Sequence, residues 1–315
     1  MPGSIYIPRA VISSIREHIL TSMPKVLDGF MSANEDEDTM TGQLGATLRS
    51  GSQTVIVEND EINGPWKWSI DYTKFRGRGK DATENHVGAD GIFELSLDQY
   101  GRKTSKSLLF QAKMDWSSDK NLLQQAVQLS TWREASIFIN YTETAVEALS
   151  IDEVLRSGGV RARAKGIISL GEALADYFIQ CKIGDTELAY DPVTRMLRWR
   201  SAKEGNFVAV RFSIPHRLRL KIKSPSYKHK FFYKDVVHHT EIHEHRMAAT
   251  PNEVFAPLLT TTVQKQKKQL QSISSAYHPD KLMSLEQPFL DLLNVRMQEF
   301  NAAFAHIERE SESNI

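Results

Sequence analysis

Gly88-Ala89-Asp90-Gly91-Ile92-Phe93-Glu94-Leu95-Ser96-Leu97 and Leu108-Leu109-Phe110-Gln111-Ala112-Lys113-Met114 form two short apolar runs, parted by a polar loop expected over 98–106, which contains Gly101. Two such runs around a polar, glycine-containing stretch predict a β-hairpin. Side chains alternate along a strand, so Gln111 and Lys113 share one face and Ala112 points to the other. If Asp90 joins that face, a carboxylate, an amide oxygen and an ammonium converge on one spot.

The elements around this hairpin follow from periodicity. Val11, Ile15, Ile19, Met23, Val26 and Leu27 predict a helix over 10–31, and a second is expected over 41–49. Strands are expected at 53–58 and 66–73, where Trp66, Trp68, Ile70 and Tyr72 alternate with polar residues. A glycine- and charge-rich loop covers 74–85. Beyond the hairpin, helices are expected over 121–132, 146–155 and 170–181, with a short buried strand at 136–141. Further strands fall within 186–234, and the chain is helical again from 251. The order of elements gives an α/β fold, a mixed sheet flanked by helices.

Composition bounds the rest. The chain has 315 residues, enough for two or three units, with 41% hydrophobic and 25% charged residues, so a packed core is expected. The single cysteine, Cys181, excludes an intrachain disulfide and a Cys-based zinc finger and fits a reducing cytoplasm. No run approaches the roughly 20 apolar residues of a membrane-spanning helix, and no signal peptide is read at the N-terminus. The formal net charge of zero hides an asymmetry. Acids cluster over 35–38, whereas 195–234 carries about a dozen Lys and Arg against one acid, Glu204. There Arg217, Arg219, Lys221 and Lys223 alternate with Leu218, Leu220 and Ile222. One basic and one apolar strand face result, suited to phosphate neutralisation and hence to DNA. An edge strand protected by charge would read the same way. His238, His239, His243 and His245 mark a linker, with a zinc or nickel site as the other reading.

Asp90 followed by Gln111-Ala112-Lys113 resembles the PD-(D/E)xK nuclease superfamily, in its variant with Gln at the third place, as in effector nucleases of bacterial antiphage systems. Segments in the same order extend the resemblance over about 10–190. They are Glu37-Asp38-Thr39-Met40-Thr41 as the acidic helix start, Leu123-Gln124-Gln125-Ala126, Ser136-Ile137-Phe138-Ile139-Asn140-Tyr141, and Leu170-Gly171-Glu172-Ala173. The resemblance implies a restriction-endonuclease-like fold and metal-dependent DNA endonuclease activity with Mg2+ or Mn2+. It makes Asp90, Gln111 and the Ala112 carbonyl metal ligands and Lys113 the residue that orients water or meets charge on the phosphate. Glu37 would be an added carboxylate, with Glu35, Asp36 and Asp38 competing for that place, and His86 is a further candidate near Asp90. Gln111 brings a neutral oxygen where a carboxylate is usual, which lowers the ligand charge.

Tyr277-His278-Pro279-Asp280-Lys281 resembles the loop signature of DnaJ-type J-domains, with 263–277 as the preceding helix and Phe300-Asn301-Ala302-Ala303-Phe304 in the following one. The resemblance implies an all-α module in which His278, Pro279 and Asp280 dock a protein partner, either a DnaK-type chaperone or a defence-system ATPase or helicase. Leu270, Ile273, Leu293, Phe300 and Phe304 are its expected core. The expected organisation is therefore a nuclease-like domain over 1–190, a basic strand-rich extension over 191–237, a His-rich linker over 238–250 and a J-like module over 251–315. The rival reading is a DNA-binding adaptor without catalysis, or a cochaperone.

Overall fold

A computed structural model describes residues 6–28, 36–75, 89–117, 120–200, 207–211, 214–226 and 287–313. In chain order the first elements are α1 (Arg9–Val26), α2 (Glu37–Leu48), β1 (Ser50–Val57), β2 (Gly64–Lys74), β3 (Gly91–Gln99), β4 (Arg102–Met114) and α3 (Lys120–Leu129). A 3-10 turn (Ser130–Ala135) leads into β5 (Ser136–Tyr141), β6 (Val146–Ser150), α4 (Ile151–Arg156) and β7 (Ile168–Ser169). Then come α5 (Leu170–Glu172), which runs on as a π-helical stretch (Ala173–Phe178), β8 (Ala189–Asp191), β9 (Met196–Arg200), β10 (Phe207–Arg211), β11 (His216–Lys223) and α6 (Gln287–Ser313).

The described strands make an eight-stranded mixed sheet, ordered β1-β2-β11-β3-β4-β5-β6-β7, and a three-stranded sheet, β10-β9-β8. β11 runs parallel to β3 and β5 parallel to β4, while the other pairs of the large sheet are antiparallel. Each face of the sheet has its own apolar layer. On one, Val11, Ile15 and Ile19 of α1 and Leu44 of α2 meet Trp66, Trp68, Phe93, Leu95 and Leu220. On the other, Leu122 and Val127 of α3, Val154 of α4, Trp199 of β9 and Phe289 of α6 meet Ile92, Leu109 and Phe138. The architecture is the expected mixed α/β sheet with helices on both faces.

The β3–β4 hairpin is longer and tighter than its composition suggests. Gln99 pairs with Arg102, so the connection is two residues, Tyr100 and Gly101. Both have positive φ, 54° and 82°, as a type I′ turn requires. The polarity of 98–106 reads as loop, yet those residues continue the ladder. Lys106 is almost fully buried, its Nζ donating to the carbonyls of Phe178 and of Ile183 (3.0 Å for the latter) and lying 4.5 Å from the centre of the Phe178 ring. Burial pulls this ammonium down to about 8, against the opposing pull of Cys181.

Two expectations change. The helix expected over 146–155 is strand β6 followed by α4. Val146–Ser150 pairs antiparallel with β5, and Ser150 caps the helix by accepting from the Glu153 amide at 3.3 Å. The Ser150-Ile151-Asp152-Glu153 pattern is a capping box, which marks where the strand ends. The basic extension expected over 191–237 is not separate from residues 1–190 in the sheet. Its strand β11 lies inside the large sheet with β2 on one side and β3 on the other, so it is not an edge strand, and its apolar residues Leu218, Leu220 and Ile222 enter the core.

Of the C-terminal segment, α6 covers the expected helix that carries Phe300 to Phe304. Its Phe289 stacks on Trp199 (5.3 Å between ring centres) and lies edge-on to Trp132 (6.4 Å). Leu293, expected in the core of a helical hairpin, packs with Phe289 and Leu292 against the sheet domain instead. The loop 278–280, the helix expected over 263–277, Leu270, Ile273, the histidines of 238–245 and His86 lie outside the described residues, and nothing is described of the Phe300 and Phe304 side chains. Among the described residues no helix is long and apolar enough to cross a membrane.

Gly91 opens β3 where no side chain fits. A Cβ there would come within 2.1 Å of the Phe110 ring and 2.8 Å of the His216 carbonyl oxygen. The carbonyl belongs to the neighbouring strand and cannot move aside alone. Gly91→Ala should therefore destabilise the fold by roughly 1–3 kcal/mol, seen as a lower midpoint in thermal or urea unfolding. A wild-type midpoint would mean that β3 and β11 part without cost.

Candidate active site

Asp90 immediately precedes β3, and its amide donates to the Phe110 carbonyl at 2.8 Å, which ties it to β4. The carboxylate turns to the same strand. Its Oδ2 accepts from the Ala112 amide at 2.7 Å and from the Gln111 Nε2 at 2.6 Å. Gln111 Nε2 also lies 3.3 Å from the Ala112 carbonyl oxygen. Asp90 and Gln111 are both buried, and the Gln111 Oε1 has no hydrogen-bond partner among the described residues. Two positions along β4, the Lys113 Nζ lies 3.3 Å from each oxygen of Glu37. The five sequence-predicted groups, Asp90, Gln111, Ala112, Lys113 and Glu37, thus meet at one corner of the sheet.

The first turn of α2 decides which acid faces the site. Asp36 is the N-cap and accepts from the Thr39 amide at 2.8 Å. Asp38 turns away, to Lys74 (2.6 Å) and His216 (2.8 Å). Glu37 is left opposite Lys113, while Glu35 lies outside the described residues. Behind Glu37, the Thr41 hydroxyl donates to its carbonyl at 2.7 Å and accepts from the buried Tyr141 hydroxyl at 3.1 Å. Burial drives that phenol far above its ordinary range.

His216 escaped the sequence reading. It heads the basic row of β11 and is almost fully buried, at 1% exposure. Its Nε2 faces Asp38, its Nδ1 lies 2.9 Å from the Tyr72 hydroxyl, and its amide donates to the Asp90 carbonyl at 3.2 Å. A carboxylate only accepts, so Nε2 carries the proton and Nδ1 accepts from Tyr72. The imidazole joins α2 to β2, and the backbone amide ties the residue to the entry of β3. The signal was out of reach because it depends on register: His216 stands between Lys74 and Gly91 only after β11 has entered the sheet. A second unpredicted group adjoins Lys113. Its β5 partner Asn140 accepts from the Trp116 amide at 2.8 Å and donates to Glu147 at 2.8 Å, and Glu147 holds Arg161 in a two-point ion pair.

The basic row is only partly open. Leu218, Leu220 and Ile222 take the apolar face as expected. Arg217 pairs with the buried Glu94 at 2.5 Å, Arg219 approaches the Ser96 hydroxyl at 3.4 Å, and Lys221 pairs with Asp71. Lys223 is exposed and faces Lys67 across the ladder.

Among the described residues, no group of three or more His, Cys, Asp or Glu side chains gathers as a metal site. The oxygen donors at the corner are instead one carboxylate, one backbone carbonyl and one amide oxygen. Comparison with protein-family models, curated proteins and solved structures finds no match for the chain.

Burial lowers the proton affinity of His216 and outweighs the Asp38 hydrogen bond that raises it. The unfolded chain then binds this proton more readily than the folded one, so the contribution of His216 to stability is full above the ordinary value of 6.5 and falls as pH drops below it. Asp38, whose carboxyl burial raises but whose hydrogen bonds from Lys74 and His216 lower to a net value below 3.8, acts in a more acidic window. Unfolding midpoints at pH 7.5 and 5.5 should differ more for wild type than for His216→Gln. Equal differences would remove His216 as the source.

Proposed function

We propose that the chain is a metal-dependent DNA endonuclease. The observation that carries this reading is the meeting of Asp90, Gln111, the Ala112 carbonyl, Lys113 and Glu37 at one corner. Buried carboxylates and ammonium groups are costly and persist where they are paired or put to use. The residues suit a hard divalent cation such as Mg2+, which takes oxygen ligands and keeps several waters. Asp90 would supply the charged oxygen, Ala112 its carbonyl, and Gln111 the amide oxygen that now has no partner. When bound, such a cation polarises a phosphate and lowers the pKa of an attacking water.

The protein's own groups do the positioning. Lys113, at 16% side-chain exposure, presents an ammonium held by Glu37. It can orient a water or neutralise charge that develops on the phosphate oxygens. Glu37, more open to solvent, can accept a proton from that water. Arg219, Lys221 and Lys223 extend along β11, away from the corner, and supply sequence-independent contacts to DNA phosphates. The same reading includes an effector role in antiphage defence and docking of a protein partner through His278, Pro279 and Asp280, both resting on resemblance. A DNA-binding adaptor without catalysis is the second reading, favoured by the neutral amide that Gln111 places against Asp90.

Asp90→Ala and Lys113→Ala should each lower Mg2+- or Mn2+-dependent cleavage of plasmid DNA about a hundredfold or more, with circular dichroism unchanged. Cleavage at the wild-type rate by either variant would refute the site. Exchanging Arg219, Lys221 and Lys223 for Gln should weaken DNA binding alike for all sequences and flatten its dependence on salt. An unaltered slope would show that the DNA path lies elsewhere.

A further inference from the structure

Gln111 is nearly sealed from solvent, at 2% exposure, yet its two amide ends are treated unequally. The nitrogen has two partners, Asp90 Oδ2 at 2.6 Å and the Ala112 carbonyl oxygen at 3.3 Å. The oxygen has none among the described residues. Both partners of the nitrogen are acceptors, so the amide cannot present its oxygen there without a cation between them. The orientation is thus fixed by chemistry. Leaving a buried amide oxygen without a donor costs free energy. The chain tolerates that cost in order to keep two N–H groups on the oxygen pair.

We infer that Gln111 is a built-in place-holder, whose amide N–H groups take the position of the cation when none is bound. The inference rests on the proposed metal site and adds a condition to it. A divalent cation enters only as the amide turns end for end, and the unpartnered oxygen then joins the Asp90 and Ala112 oxygens. A glutamate in this place would always be ready for the metal. Without metal, however, it would set a second carboxylate against Asp90, and like charges that close cannot both stay ionised at ease. The amide adds no second charge beside Asp90 and donates a hydrogen bond to it, and it makes metal loading weaker and reversible.

The test reads binding and not cleavage. In the full-length chain, the side-chain NH2 resonances of Gln111 are assigned by their loss in Gln111→Glu and followed during Mg2+ titration. They should shift and lose protection from hydrogen exchange as Mg2+ binds, and Asp90→Ala should abolish the response. In calorimetry, Gln111→Glu should bind Mn2+ about tenfold more tightly or better, since ligand charge sets affinity. Free of metal it should melt below wild type, and Mn2+ should raise its midpoint by more. Mg2+ binding with the Gln111 resonances unmoved would overturn the place-holder and leave the metal site standing, as would equal Mn2+ affinities. No binding of Mg2+ or Mn2+ by either chain would overturn both.

Discussion

The fold depends on one late strand entering between two early ones. β11 pairs with β2 from His216↔Lys74 to Lys223↔Lys67 and with β3 from His216↔Gly91 to Lys223↔Asp98. Without it β1 and β2 have no link to β3 within the sheet, and Trp66, Trp68 and Ile70 lose the layer they share with Phe93 and Leu95. The same insertion brings His216 to Tyr72, Asp38 and the Asp90 carbonyl. The ladder that completes the sheet and the hydrogen bonds that hold Asp38 and Asp90 at this corner are therefore formed together.

At that corner the polar groups are satisfied in pairs: Asp90 by the Ala112 and Gln111 nitrogens, Lys113 by Glu37, Asp38 by Lys74 and His216. A buried charge left alone is expensive, so each pair makes its members tolerable in the fold. Among the described residues of this corner the Gln111 oxygen is the exception, at the far end of an amide whose nitrogen faces the oxygens proposed to hold a cation. Polar groups that satisfy one another need no ligand, whereas an unsatisfied one marks where a ligand is to be accommodated.

Much of this was legible in the sequence. The hairpin, the shared face of Gln111 and Lys113, and the alternation of Leu218, Leu220 and Ile222 are local periodicities, and local periodicity survives folding. Side-chain roles at the start of α2 were not, since Asp36, Glu37 and Asp38 are chemically alike and only the direction of the first turn separates them. The partners of the basic row were hidden for a related reason. Glu94 and Asp71 lie far from Arg217 and Lys221 in the chain, and strand order alone makes them neighbours. The strand over 146–150 reads as helix because Val146 to Leu155 forms one apolar-rich segment, although Ser150 and Glu153 mark the break.

The position of β11 also sets a schedule for biosynthesis. β2 is complete once Lys74 has been made, but its partner strand ends only at Lys223. At synthesis rates of roughly 5–20 residues per second, on the order of ten seconds pass before that partner exists. Throughout this interval one side of β2 and one side of β3 are unpaired edges, and an unpaired edge is a template for wrong pairing. Folding of the half-made chain is thus exposed to aggregation at its tryptophan-rich strand. The charges on β11, which divide its outer face from the core, also help to fix its register when it arrives, because a slip of one residue would bury a lysine or an arginine.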